Sequence, residues 1–96
     1  MKHDKLKDLI RSAVFSGRYI YSFHSKERMK ERRVTRQEVR HVLLHGHHEK
    51  RKDLFERSTG QWKYAIRGKT IDKKVLRIIL TFDENNLLII TVIEIK

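Results

Sequence analysis

The sequence predicts an α+β domain, with N-terminal helices packed on one face of an antiparallel sheet of about four strands. Three observations carry that expectation. Apolar residues recur at helical spacing only in the first half of the chain, strand-like alternation and β-branched runs fill the second half, and capping signals punctuate the first half.

The elements follow in order. Leu6, Leu9, Ile10, Ala13 and Val14 lie at helical spacing between roughly residues 4 and 15, and Gly17 ends that segment. Residues 18–23, with Tyr19, Ile20 and Tyr21, read as a short extended piece. Ser22 is placed to cap a second helix whose inner face presents Met29, with Val34 close behind. Thr35 and Glu38 form the two ends of a capping box that opens a third helix. Val39, Val42 and Leu43 make its apolar side, and Gly46 is its terminator. Residues 48–56 predict a weak, charged strand. In 61–69, Trp62, Tyr64 and Ile66 alternate with Lys63 and Arg67, so the two sets face opposite ways. The runs 75–82 and 87–95 are strongly apolar, and 83–86 between them is a hairpin turn. This organisation is one domain over 1–96: a helix in 1–17, a short strand and two helices in 18–46, and the sheet in 47–96.

Charge narrows the function classes. The 96 residues hold 23 Lys and Arg against 12 Asp and Glu, a formal net charge of +11 that the molecule cannot neutralise internally. An anionic partner follows, nucleic acid first and an acidic protein second. With no cysteine, disulfides and thiolate zinc sites are excluded. No apolar run reaches membrane-spanning length, and the start, Met1, Lys2, His3, Asp4 and Lys5, leads into no signal-peptide core. The expected location is cytoplasmic.

Two groups of cations suggest a phosphodiester ligand. His24, Arg28 and Arg32 recur every four residues and share one helix face, uniting a titratable imidazole with two guanidinium groups that can grip phosphate bidentately. On the sheet face opposite the helices, strand pairing can gather Lys63, Arg67 and Arg77 with Thr91, which stands between Ile89 and Ile93. RNA cleavage by internal attack needs proton carriers near the 2′-hydroxyl and the 5′-oxygen, and cations on the non-bridging oxygens. His24 fits the acid/base role, Arg28 and Arg32 the clamp, and Tyr64 can donate a proton or stack on a base, although a core place beside Trp62 suits it equally. The stripe and the strand cations can serve one ligand only if their helix stands at the sheet's edge.

Other features weigh less. His41 and His45 lie one helical turn apart, near His47 and His48, a spacing able to chelate zinc or nickel. Without cysteine, and with only Glu38 and Glu49 nearby, no metal or other cofactor is expected there. Lys50, Arg51 and Lys52 form a basic run suited to phosphate backbone. Glu27 and Glu31 are placed to pair with Lys30 and Arg28.

The order Tyr21, Ser22, His24, Arg28, Met29, Arg32, Val34, Thr35, Glu38, Val39 and Gly46, followed by Trp62, Tyr64, Ile66, Gly68 and the Ile90, Thr91, Val92, Ile93 run, resembles the bacterial domain-of-unknown-function family 4258 across roughly residues 18 to 95. The resemblance implies a small toxin-like protein of the RelE/MqsR type, with a RelE/ParE-like fold, often encoded beside a YgiT-type zinc-finger antitoxin. Such proteins act as ribonucleases on messenger RNA, sometimes on the ribosome. No extended tail after Ile95 is expected to add a catalytic residue. The resulting expectation is a metal-independent endoribonuclease toxin of a type II toxin–antitoxin pair, partnered by RNA and a cognate antitoxin. His24, Arg28, Arg32 and Tyr64 would be catalytic, and Lys63, Arg67, Arg77 and Thr91 would bind RNA. The alternatives are a non-catalytic RNA- or DNA-binding module and a basic protein that docks an acidic antitoxin.

Overall fold

The computed structural model describes residues 5–84 and 86–96; the first four residues, and position 85 of the expected turn, lie outside the described residues. The elements run α1 (Leu6–Phe15), β1 (Tyr19–Tyr21), α2 (Phe23–Arg32), α3 (Arg36–His45), β2 (His47–His48), a 3-10 turn (Lys50–Lys52), β3 (Leu54–Glu56), β4 (Gln61–Lys69), β5 (Val75–Asp83) and β6 (Asn86–Ile95).

The helix ends follow local chemistry. Gly17 has φ +73°, and beside it Arg18 N–H donates to Ala13 O and Gly17 N–H to Val14 O, closing α1 with a left-handed turn. Ser22 caps α2 by accepting from Ser25 N–H at 3.0 Å. Thr35 and Glu38 form the capping box of α3, with both reciprocal bonds present at 3.0 and 2.8 Å. Gly46 caps α3 with an extended φ of −75°. It is required for close approach, because a Cβ there would stand 2.6 Å from Val42 O and 2.7 Å from Arg67 O. The facing Gly68 on β4 completes the approach, since its own Cβ would lie 2.9 Å from Gly46 Cα.

The α+β class holds, with the helices packed on the sheet, and four details of the sheet differ from the expectation. It has six strands and is mixed, in the order β1-β6-β5-β4-β2, with β3 also on β4. The antiparallel part holds for β2 to β6, whereas β1 runs parallel to β6, bracketed by Leu87 N–H to Arg18 O and Ser22 N–H to Ile89 O. A three-residue strand is too short for its sequence to announce a direction, and a parallel partner must come from far along the chain.

The segment 48–56 is two short strands on the same edge of β4, separated by the 3-10 turn. Between them the chain leaves the ladder, and the Asp53 carboxylate takes over as acceptor for Ala65 N–H at 3.1 Å. Asp53 also meets His48 Nε2 at 2.7 Å, which pins the turn from the other side.

The hairpin is tighter than expected: Asp83 and Asn86 pair as the last rung of β5 and β6, and Glu84 takes a left-handed φ of +56°. Finally, a register shift between Ile79 and Leu80 leaves Ile90 as an extra residue on β6. Ile89 therefore turns into the core, away from Thr91 and Ile93, which the alternation had grouped with it.

All three helices contribute to one core. Leu6, Ile10, Met29, Val39, Val42 and Leu43 meet Ile66, Leu76, Ile78, Leu80, Leu87, Ile89 and Val92 of the sheet. Each such aliphatic side chain, fully buried, contributes about 1.5–3 kcal/mol.

Two substitutions test these assignments. Gly46→Ala should destabilise by about 1–3 kcal/mol in urea unfolding, because neither backbone oxygen can retreat from the added methyl. Arg33, with φ +55° at the end of α2, holds a left-handed conformation that is costly for a residue with a Cβ. Arg33→Gly should stabilise by about 1 kcal/mol in the same assay.

Candidate nucleic-acid interface

The sheet face turned away from the core presents Lys63 and Arg67 from β4, Arg77 and Ile79 from β5, and Thr91 and Ile93 from β6. Register places Arg67 directly opposite Arg77, and Arg77 opposite Ile93. Thr91 faces Ile79, one diagonal step from Arg77. The basic patch with a hydroxyl neighbour is therefore brought together on one face.

At its centre is Glu49. Its N–H donates to Ala65 O at 2.8 Å, which lays it along β4 on the arginine face. Arg77 Nε and Nη2 donate to its two carboxylate oxygens at 2.7 and 2.9 Å, a bidentate pair. Arg67 Nη1 stands 3.6 Å away and Arg51 Nη2 3.9 Å away. The Glu49 side chain is only 6% exposed, whereas Arg51 is 79% exposed. The Arg77 bond, reinforced by the charges of Arg77, Arg67 and Arg51, holds the Glu49 carboxyl below its ordinary value, against the opposing effect of burial. The same bond raises Arg77 above its ordinary value. The sequence alone does not mark Glu49 as part of the cation site. The available signal was a lone acid in the run His47, His48, Glu49, Lys50, Arg51, Lys52, the mark of an internal counter-charge.

His47, exposed and paired in register with Arg67, shares this face with Glu49 two residues on. Lys63 also lies on it but is tied to Glu56, so it stands at the rim.

Tyr64 is on the other side of β4. It is 3% exposed in the core, with its ring edge-on to His48 at 5.9 Å. Burial, and then the Asp53 charge, raise its phenol above the ordinary value. The alternation of β4 separates it from Lys63 and Arg67. Its ring packs in the core, the place that the alternation with Trp62 and Ile66 allows.

The helix stripe meets the edge condition. β1 pairs with β6 only as far as Ile89; Ser22 then donates its hydroxyl to Ile90 O at 2.8 Å, and α2 packs against β6 beyond that point. Ser25 and Met29 point inward, and Lys26 and Lys30 border the cleft shared with Thr35 and Arg36 of the helical layer. At 100° per residue, Arg28 occupies the flank opposite Lys26. Arg28 is half-exposed and pairs with Glu31 at 2.8 Å; His24 and Arg32 are exposed at the two ends of the helix. The stripe is contiguous, but β6 and the width of α2 separate it from Arg77.

The His41 and His45 rings approach to 4.7 Å. Among the described residues, no group of three or more His, Cys, Asp or Glu is gathered closely enough to hold a metal ion. No helix among the described residues is long and apolar enough to cross a membrane.

Residues 21–94 match the family model described as a domain of unknown function, DUF4258. The chain belongs to this family. No curated protein and no solved structure matches it. The DUF4258 span contains the α2 stripe, Glu49 and the strand arginines, and leaves α1 outside.

The Glu49 shift has a consequence for stability. A carboxylate whose folded value is depressed adds stability that is present above its unfolded value, near 4.5, and is lost as pH falls through the lower folded value. Urea unfolding between pH 7 and pH 3 should therefore show a steeper acid loss for the native chain than for Glu49→Gln. Equal slopes would show that Arg77 does not hold the carboxylate in solution.

Proposed function

We propose that this DUF4258 chain is a metal-independent endoribonuclease of the toxin–antitoxin kind, holding RNA across the open sheet face. The observation that carries this reading is the Arg67–Arg77 pair. Like charges directly opposite on neighbouring strands are destabilising, and here three guanidinium groups surround a single carboxylate. The local surplus, three positive charges against one negative, suits a phosphate, and arginine can grip it bidentately.

The net charge of +11 adds counterion release along a nucleic-acid backbone. His24, Arg28 and Arg32 extend the cationic surface around the β6 edge and contact the backbone on that side. RNA suits the reading better than DNA because cleavage without a metal uses the 2′-hydroxyl as nucleophile. The restraining partner in the cell would be an acidic antitoxin. A non-catalytic RNA-binding module is the second reading, favoured by the Arg28–Glu31 pair, which leaves His24 as an exposed imidazole away from the sheet arginines.

Primer extension on cellular RNA after brief induced expression tests the proposal, comparing the native chain with Arg67→Gln, His24→Ala and Arg28→Ala at equal accumulation. The native chain should create new 5′ ends and Arg67→Gln should abolish them. His24→Ala and Arg28→Ala should weaken them about tenfold, the size of a lost phosphate contact. RNA binding without new ends would favour the binding module.

A further inference from the structure

We infer that Glu49 is the proton acceptor and His47 the proton donor at a single phosphate held by Arg67 and Arg77, an assignment that rests on the ribonuclease reading above. Internal attack needs a base at the 2′-hydroxyl, an acid at the departing 5′-oxygen and cations on the non-bridging oxygens, all within the span of one phosphodiester. The sheet face supplies that set on three adjacent strands. His47 and Glu49 are two residues apart on one side of the chain, about 6.5 Å along an extended backbone. Arg67 pairs in register with both His47 and Arg77. The Glu49 N–H bond to Ala65 O at 2.8 Å fixes the backbone from which the carboxylate projects.

The bonding pattern leaves capacity for substrate. Arg77 uses Nε and Nη2 on Glu49, and a guanidinium carries five N–H donors, so Nη1 remains to meet a phosphate oxygen. Arg67 stands 3.6 Å from the carboxylate, beyond close hydrogen-bond range, and can turn its fork to the same phosphate. Arg51, 79% exposed and on a long flexible side chain 3.9 Å from the carboxylate, can swing aside as RNA enters. A phosphate that draws guanidinium charge away from Glu49 also makes the carboxylate a stronger base when it is needed. Glu56 pairs with Lys63 at the rim of this face.

The step balances. The Glu49 carboxylate takes the 2′-hydroxyl proton as the O2′–P bond forms, the P–O5′ bond breaks, and the His47 imidazolium gives its proton to O5′. The products are a 2′,3′-cyclic phosphate end and a 5′-hydroxyl end.

The test uses the full chain and a synthetic RNA carrying a cut site mapped by primer extension. The same RNA is also made with sulfur in place of the 5′-bridging oxygen, whose thiolate departs without protonation. Glu49→Gln and His47→Ala should each slow cleavage of ordinary RNA about 10²–10⁴-fold. Both should still bind a non-cleavable 2′-O-methyl version of this RNA. The sulfur substrate should restore His47→Ala to near the native rate and leave Glu49→Gln slow. Native-rate cleavage by either variant, or a His47→Ala that sulfur fails to rescue, overturns the assignment. Should Glu49→Gln lose its fold, the exposed His47 carries the test through the rescue alone. A native chain that cuts no RNA would instead bring down the ribonuclease reading itself.

Discussion

Arg67 and Arg77 face each other across two paired strands, and Glu49 is what makes that arrangement tolerable. Two unit charges about 5 Å apart repel by ~3 kcal/mol at an effective dielectric constant of 20. A carboxylate bonded bidentately to one and close to the other offsets that repulsion. Because Glu49 follows β2 and is anchored to Ala65 O, the same interaction draws the 47–56 segment onto β4. Asp53 provides the second anchor, through Ala65 N–H and His48. Two acids of a strongly basic chain thus serve inward, as counter-charge and as substitute strand partner. The surplus of cations is left on the surface.

The second constraint is the shortness of β1. A longer first strand would have covered the whole free edge of β6. With three residues it stops at Ile89, and α2 takes its place beside the rest of the strand. Ser22 makes the change of direction possible by donating its N–H to Ile89 O and its hydroxyl to Ile90 O while accepting from Ser25 N–H. One residue therefore ends the strand ladder, satisfies the carbonyl of the extra β6 residue and starts the helix. The consequence for function is positional. A helix lying over the core would have hidden its cations from the open face, whereas a helix at the edge presents one flank to each side.

Local signals in the sequence determined much of the frame. Gly17 can end α1 because glycine adopts a left-handed φ without penalty, and Ser22, Thr35 and Glu38 bond backbone groups three residues away. Such interactions act over one turn and need nothing from the remainder of the fold. The same holds for the alternation of Trp62 to Arg67 and for the long apolar runs that became β5 and β6, so the α+β class and the opposed faces of β4 were legible. The spacing of His24, Arg28 and Arg32 likewise placed them on one face of a helix, and the net charge set the sign of any ligand.

Only the tertiary structure decided which of these groups meet. The parallel pairing of β1, the extra residue at Ile90 and the split of 48–56 into two strands depend on register between segments distant in the chain, and a one-residue shift reverses the face of every side chain beyond it. Tyr64 and Arg67 are close in sequence yet stand on opposite faces of β4, while Glu49 and Arg77 are 28 residues apart and bond bidentately. Composition and spacing carry chemistry and local conformation, but contact between distant residues is a property of the packed sheet. That is why the cations were visible in the sequence and the carboxylate that organises them was not.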